Sequence, residues 1–220
     1  MKNIIHKILG WVITIALPFW LIMTAIRLLI TPVYPIIEYR MPGFPADDFG
    51  FTLDDRLKWS KPSIQFLVNS EGIEFLGDLK FPDGTPIYNE RELTHMIDVK
   101  TLVQLMIKVW IGLSIGLLAI SLLLYFNKGR EDLRNGFKRG GWVSVGLVVA
   151  LLISVLIRFN DLFNWFHYLF FTGDTWLFYM SDTLIRLFPL RFWSDAFIFV
   201  GLFTLIVGVV ISLTLQRKRK

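Results

Sequence analysis

Histidine has an ordinary pKa of about 6.5 and is the side chain best suited to moving protons near neutral pH. The chain of 220 residues holds three, His6, His95 and His167. His95 stands in Ile87-Tyr-Asn-Glu-Arg-Glu-Leu-Thr-His-Met-Ile-Asp-Val-Lys100, with Glu92 three residues before it and Asp98 three after. Asn89 followed three residues later by Glu92 is the pattern of a capping box, so a helix is expected to begin here and to run into the apolar stretch beyond. On that helix Glu92, His95 and Asp98 share a face, where the carboxylates could orient the imidazole, fix its tautomer and raise its pKa. The same spacing also describes a solvated, charged first turn with an incidental histidine.

His167 lies in a segment crowded with rings: Trp165, Phe166, Tyr168, Phe170 and Phe171 surround it, and Asp161 and Asp174 offer carboxylates nearby. Aromatics at this density suit the headgroup belt of a membrane, where an anchoring role is the plain account. A histidine in that belt also stands at the depth of lipid esters, which makes acid-base chemistry on an ester the sharper reading. Other chemistries find little support. With no Cys, the chain has no thiolate metal ligand, disulfide or cysteine nucleophile. It lacks a phosphate-binding Gly-x-x-x-x-Gly-Lys loop, a Gly-x-Ser-x-Gly elbow and a His-Glu-x-x-His zinc helix. His95 and His167 with nearby carboxylates could ligate a metal by type, but their spacing matches no standard ligand pattern. Arg27 and Lys108 fall inside apolar stretches; snorkelling accounts for Arg27, whereas Lys108 is deep enough to line a polar pocket instead.

These residues must be positioned by a chain that is 54% hydrophobic and 15% aromatic, with 19% charged residues, a balance outside the range of ordinary soluble domains. Continuous apolar stretches occur at residues 8–30, 102–126, 142–158 and 192–215. A hydrocarbon core about 30 Å thick needs roughly 20 residues at about 1.5 Å each. Three of the stretches meet that length; the third does so only if Arg158 reaches toward the headgroups, and a re-entrant or interfacial helix is its alternative. The first is too long for a signal peptide's apolar core and carries Pro18 and Arg27 within it. The expected fold class is therefore an all-α polytopic membrane protein with four transmembrane helices.

Charge supplies an orientation. Lys2 and Lys7, then Lys128, Arg130, Arg134, Lys138 and Arg139 in a basic loop at 127–141, then Arg217, Lys218, Arg219 and Lys220 in a tail at 216–220, face only Glu131 and Asp132. This excess places both termini and the middle loop in the cytoplasm. Residues 31–101 then form an acidic extracytoplasmic cap, and residues 159–191 an external aromatic loop. Both His95 and His167 fall on the outer side. The net charge of +5 records helix orientation and gives no reason to expect nucleic acid. Within the cap, the Pro and Gly residues of Thr31–Gly50 argue against a helix, and Asp83-Gly84 reads as a turn between short strands or between a strand and a helix. A small mixed α/β cap is expected.

The segments Tyr88–Lys100 and His167-Tyr-Leu-Phe-Phe-Thr-Gly-Asp-Thr-Trp-Leu177, followed by Asp182-Thr-Leu-Ile-Arg-Leu-Phe-Pro189, resemble those of the bacterial lipoprotein intramolecular transacylases, small four-helix membrane proteins. The resemblance extends over nearly the whole chain in topology. It implies transfer of the sn-2 acyl chain of a diacylglyceryl lipoprotein to the α-amine of its N-terminal cysteine, with lyso-form lipoprotein as product. It implies no cofactor or metal, membrane lipids as surroundings, and His95 and His167 as the catalytic pair. Asp98 and Asp174, as groups that would orient the two imidazoles, and Glu92, Arg91 and Tyr168 are supporting candidates. The competing readings are a metal-dependent membrane lipid or peptide hydrolase and a non-enzymatic transport or assembly protein.

Overall fold

A computed structural model describes residues 2–215; the basic tail with Arg217, Lys218, Arg219 and Lys220 lies outside the described residues. Eight helices follow in order: α1 Lys2–Leu29, α2 Val33–Glu38, α3 Leu53–Val68, α4 Glu74–Gly77, α5 Glu90–Phe126, α6 Arg130–Phe170, α7 Thr183–Leu187 and α8 Leu190–Thr214. Four helices among the described residues, α1, α5, α6 and α8, are long and apolar enough to cross a membrane. Helix α6 begins within the segment expected as a basic loop and ends within the one expected as an aromatic loop. It is broken at Arg158, whose backbone leaves the helical region at φ −144° and ψ 54°. The break falls where the apolar run gives way to Phe159-Asn160-Asp161.

The chain divides into two compact units. The first comprises the described parts of Met1–Arg27, Ile107–Ile157 and Phe197–Lys220. Its helices meet through small residues: a Cβ added at Gly136 would come 2.6 Å from the Gly10 carbonyl oxygen, and one at Gly141 would come 2.6 Å from that of Gly208. Such backbone approach is how apolar helices gain dispersion contacts where the surrounding lipid removes the hydrophobic incentive. Helices α1 and α5 are further tied by Trp20 Nε1 donating to Ser114 Oγ (2.8 Å) and Trp110 Nε1 donating to Thr24 Oγ1 (3.0 Å).

The second unit, Leu28–Met106 with Arg158–Ala196, contains both candidate histidines. Its core gathers Tyr39, Trp59, Phe66, Leu76, Tyr88, Met96, Leu187 and Phe192 from the short helices and from the first turns of α5 and α8. Buried hydroxyls inside it are paired: Tyr39 Oη donates to Leu187 O (2.9 Å), and Thr183 Oγ1 to Ile87 O (2.6 Å). The cap part is helical rather than mixed α/β. Among the described residues its β pairing is one isolated bridge, Lys80 with Pro86. The Asp83-Gly84 turn is present, with Gly84 at φ +87° and Phe81 N–H donating to Thr85 O at 2.8 Å, but no strand extends from it. Within Ile73–Phe81, residues Glu74–Gly77 form α4, and Lys80 makes the single bridge.

The prolines of Thr31–Gly50 do not prevent a helix either. Pro32 caps α2 and Pro35 lies in its first turn, where a missing N–H costs no helical hydrogen bond. Helix α3 had a signal in the sequence: Thr52 and Asp55 form a reciprocal capping box, each side chain accepting the other's backbone N–H.

Candidate active site

Helix α5 begins where the sequence suggests. Asn89 N–H donates to Glu92 Oε2 at 2.8 Å and Glu92 N–H to Asn89 Oδ1 at 3.0 Å, closing the capping box. The second carboxylate oxygen of Glu92 accepts the N–H of Leu184 at 2.6 Å, so one side chain also satisfies the first turn of α7. Asp182 completes the junction by accepting from Tyr179 N–H, Asn89 Nδ2 and Arg91 (2.8, 3.1 and 2.9 Å). Arg91 lies over the Tyr179 ring as well, with Cζ 4.7 Å from its centroid. The start of α5, which carries His95, is thus clamped to the segment that follows His167.

The two imidazoles are brought together. His95, one turn into α5, and His167, near the end of α6, are 8% and 9% exposed. Their ring centroids lie 6.0 Å apart with planes 24° from parallel. Rings enclose them: Phe171 and Phe178 stand edge-on to His95 at 5.0 and 5.3 Å, while Phe163 and Trp176 lie 4.2 and 4.8 Å from His167. The aromatics around His167 therefore do more than face outward; several build the walls of the histidine pair.

The ring nitrogens differ. His167 Nδ1 is 2.7 Å from the carbonyl oxygen of Phe163, one turn back on α6. A carbonyl only accepts, so Nδ1 carries the proton, and Nε2 is left as the lone-pair nitrogen in the neutral ring. His95 Nδ1 is buried without a protein partner. So is the indole Nε1 of Trp176.

The supporting carboxylates are used otherwise than their spacing suggests. Glu92 is spent on backbone N–H groups. Asp98 accepts from Thr175 Oγ1 at 3.5 Å, the limit of a hydrogen bond. Asp174 is exposed, and the 167 ring is oriented by a main-chain carbonyl. Asp161 pairs with Arg158 at an exposed position. Tyr168 is 67% exposed, its ring edge-on to Trp176 at 5.1 Å. Lys108 is exposed on α5. Among the described residues, no three His, Asp or Glu side chains form a group that could hold a metal ion. Trp176 and the clasp at Asp182 escaped the sequence reading; an unpaired indole N–H leaves no mark in a sequence, and Asp182 meets Arg91 from 91 residues away.

A family model described as lipoprotein intramolecular transacylase Lit matches residues 11–193. An uncharacterised protein of Aquifex aeolicus (strain VF5) is 26% identical over 212 residues, covering 95% of this chain and 94% of the relative. Among solved structures, that of the membrane-integral lipoprotein intramolecular transacylase Lit from Bacillus cereus matches with a TM-score of 0.81 at 20% identity, over 96% of this chain and 94% of the other. Two structures of that protein with a histidine replaced by arginine or by alanine each give a TM-score of 0.74 at 18% identity, over 97% of this chain and 92% or 93% of theirs. At these identities the likeness speaks to the fold.

Proposed function

The chain belongs to the family of the lipoprotein intramolecular transacylase Lit, and from that membership we propose that it moves the sn-2 acyl chain of a diacylglyceryl lipoprotein onto the α-amine of the N-terminal cysteine. The observation that carries the reading into chemistry is the buried pair, His95 and His167, with centroids 6.0 Å apart among aromatic rings. Rings at that separation can both reach one reacting centre.

The free α-amine has a pKa of about 7.7–8.0 and is largely protonated at neutral pH, so one proton must leave before the nitrogen can attack. A neutral imidazole with a fixed lone pair suits that step, and the Nδ1–H bond to Phe163 makes His167 the base through Nε2. Nitrogen then adds to the ester carbonyl carbon, giving a tetrahedral oxyanion. On collapse the bond to the sn-2 oxygen breaks, the second amine proton passes to that oxygen, and amide and hydroxyl result. His95, whose Nδ1 is unengaged by protein, is the group that assists the departing oxygen. Amine and ester belong to one molecule, so no acyl-enzyme is needed; holding them in contact supplies up to about 7–11 kcal/mol of barrier reduction. Phe163, Phe171, Phe178 and Trp176 exclude the water that would otherwise hydrolyse the ester.

By the positive-inside rule, both termini and the basic start of α6 lie in the cytoplasm and the histidine pair lies on the outer side. The absence of native cysteine gives a clean background for checking this: a cysteine at Asp83 should react with an impermeant maleimide in intact cells, and one at Lys128 only after lysis.

The function is tested by incubating the purified protein with a diacylglyceryl lipopeptide bearing a free N-terminus. The reaction is an isomerisation and leaves the mass unchanged, so fragment spectra must locate the chain. An N-acyl fragment with one remaining ester is expected; persistence of a free amine and two esters would sink the proposal.

A further inference from the structure

Trp176 presents a donor with nothing in the protein to receive its proton. An indole Nε1–H donates and cannot accept. In this chain it is buried, on a residue 6% exposed, with no hydrogen-bond partner in the protein. A buried N–H left unpaired by protein is costly and uncommon, and beside reacting groups a catalytic role is one of the explanations it calls for. The position fits that role. The Trp176 ring lies 4.8 Å from the His167 ring at 31°, on the residue read above as the base, and the edge-on ring of Tyr168 helps to fix it. Other tryptophans in the chain show what a satisfied indole looks like: Trp20 and Trp110 each donate to a hydroxyl.

We infer that Trp176 is a catalytic residue whose indole N–H donates to the carbonyl oxygen of the migrating acyl group and binds the oxyanion formed when the amine adds. The inference rests on the acyl-transfer reading. That reaction needs such a donor, because negative charge develops on the carbonyl oxygen in a site walled by apolar rings, where no bulk water stabilises it. Phe163, Phe171 and Phe178 have no polar hydrogen to offer. The indole can also donate without taking part in proton bookkeeping: it does not titrate, and it leaves His167 free for the amine and His95 free for the glyceryl oxygen. The Nε1–H bond to oxygen is weak to the ester carbonyl and strengthens as the oxygen becomes an anion, so its effect falls on the chemical step rather than on substrate binding.

The test replaces Trp176 with β-(3-benzothienyl)alanine by nonsense suppression, exchanging the N–H for sulfur in a ring of nearly the same shape. The substrate is the diacylglyceryl lipopeptide. Loss of one oxyanion donor predicts kcat lower by about 100-fold with little change in KM. Trp176→Phe should fall at least as far, while the benzothienyl variant guards against a loss caused by collapse of the ring packing. Activity of the isostere within about threefold of wild type, or a rise in KM at unchanged kcat, would overturn the inference. If the wild-type protein itself leaves the lipopeptide unconverted, the acyl-transfer reading fails; if the wild type and the isostere are equally active, the role of Trp176 alone fails.

Discussion

The two units bury different kinds of polar group. In the first, the buried polar side chains among the described residues are Thr14, Ser144, Thr204 and Ser212, all small and uncharged. Three of them return a hydroxyl proton to the carbonyl one turn back: Thr14 to Gly10, Ser144 to Gly140 and Ser212 to Gly208. In the second unit the buried set includes Glu38, Arg56, Glu92, His95 and His167. Burying an ionisable group is costly unless neighbours compensate, and Glu92 shows the compensation, with both oxygens taken by backbone N–H groups. A unit made of apolar helices in close backbone contact has no such partners to give. Titratable chemistry is therefore confined to the unit whose short helices and turns supply them.

The sharpest way to break this contrast is to remove the histidines. His167→Ala, which deletes the base, is expected to lower the rate of acyl transfer about 10²- to 10⁴-fold, and His95→Ala to fall within the same range. Because the second unit's core lies chiefly in Tyr39, Trp59, Phe66, Leu76 and Leu187, neither change should shift the melting temperature by more than a few degrees. Retained turnover in either variant, measured by the N-acyl fragment in lipopeptide spectra, would remove the pair from the mechanism.

The complementary change belongs to the first unit. Gly141→Ala improves helix propensity by about 1 kcal/mol. It also places a Cβ 2.6 Å from the Gly208 carbonyl oxygen, which neither backbone can avoid without separating α6 from α8. Overpacking of this sort costs about 1–3 kcal/mol. The net expectation is a loss of about 0–2 kcal/mol, or a melting temperature lower by up to several degrees at about 2–4 °C per kcal/mol, with kcat per folded molecule unchanged. A variant more stable than wild type would show that close packing is dispensable there.

What could be read in the sequence divides along the same line. The apolar stretches at 102–126 and 142–158 lie inside α5 and α6, and those at 8–30 and 192–215 overrun α1 and α8 by one residue, because length and hydropathy are local properties. The capping box at Asn89 and Glu92 was legible for the same reason. The approach of His95 to His167 was suggested by residue type and family resemblance. Helix α2 runs against a count of prolines that ignores position in a first turn, and the expected α/β cap fails because a turn at Asp83-Gly84 does not require strands on either side of it. Helical spacing says which carboxylates share a face with His95, while Glu92 finds Leu184 from 92 residues away. A tautomer fixed by Phe163, and an indole without a partner, exist only once the chain is folded.

The smallest expected effect sharpens the contrast through pH. Glu38 is 4% exposed, and burial first, then the neighbouring Asp195 carboxyl, push its carboxyl up to about 7 from an ordinary 4.5, with Arg191 pulling the other way. A raised folded-state pKa means that the fold favours the protonated acid. Below about 4.5 both folded and unfolded forms hold the proton, and Glu38 costs nothing. As pH rises from there the unfolded form ionises first, so stability falls progressively until the folded carboxyl also ionises near 7, and the penalty is constant above that. Glu38→Gln keeps the shape of the protonated acid at every pH. The variant should melt with wild type at pH 4 and several degrees above it at pH 8, with the gap opening between about 4.5 and 7. A gap that is constant with pH, or of opposite sign, would show that Glu38 is held ionised and that the second unit compensates buried charge more fully than its contacts indicate.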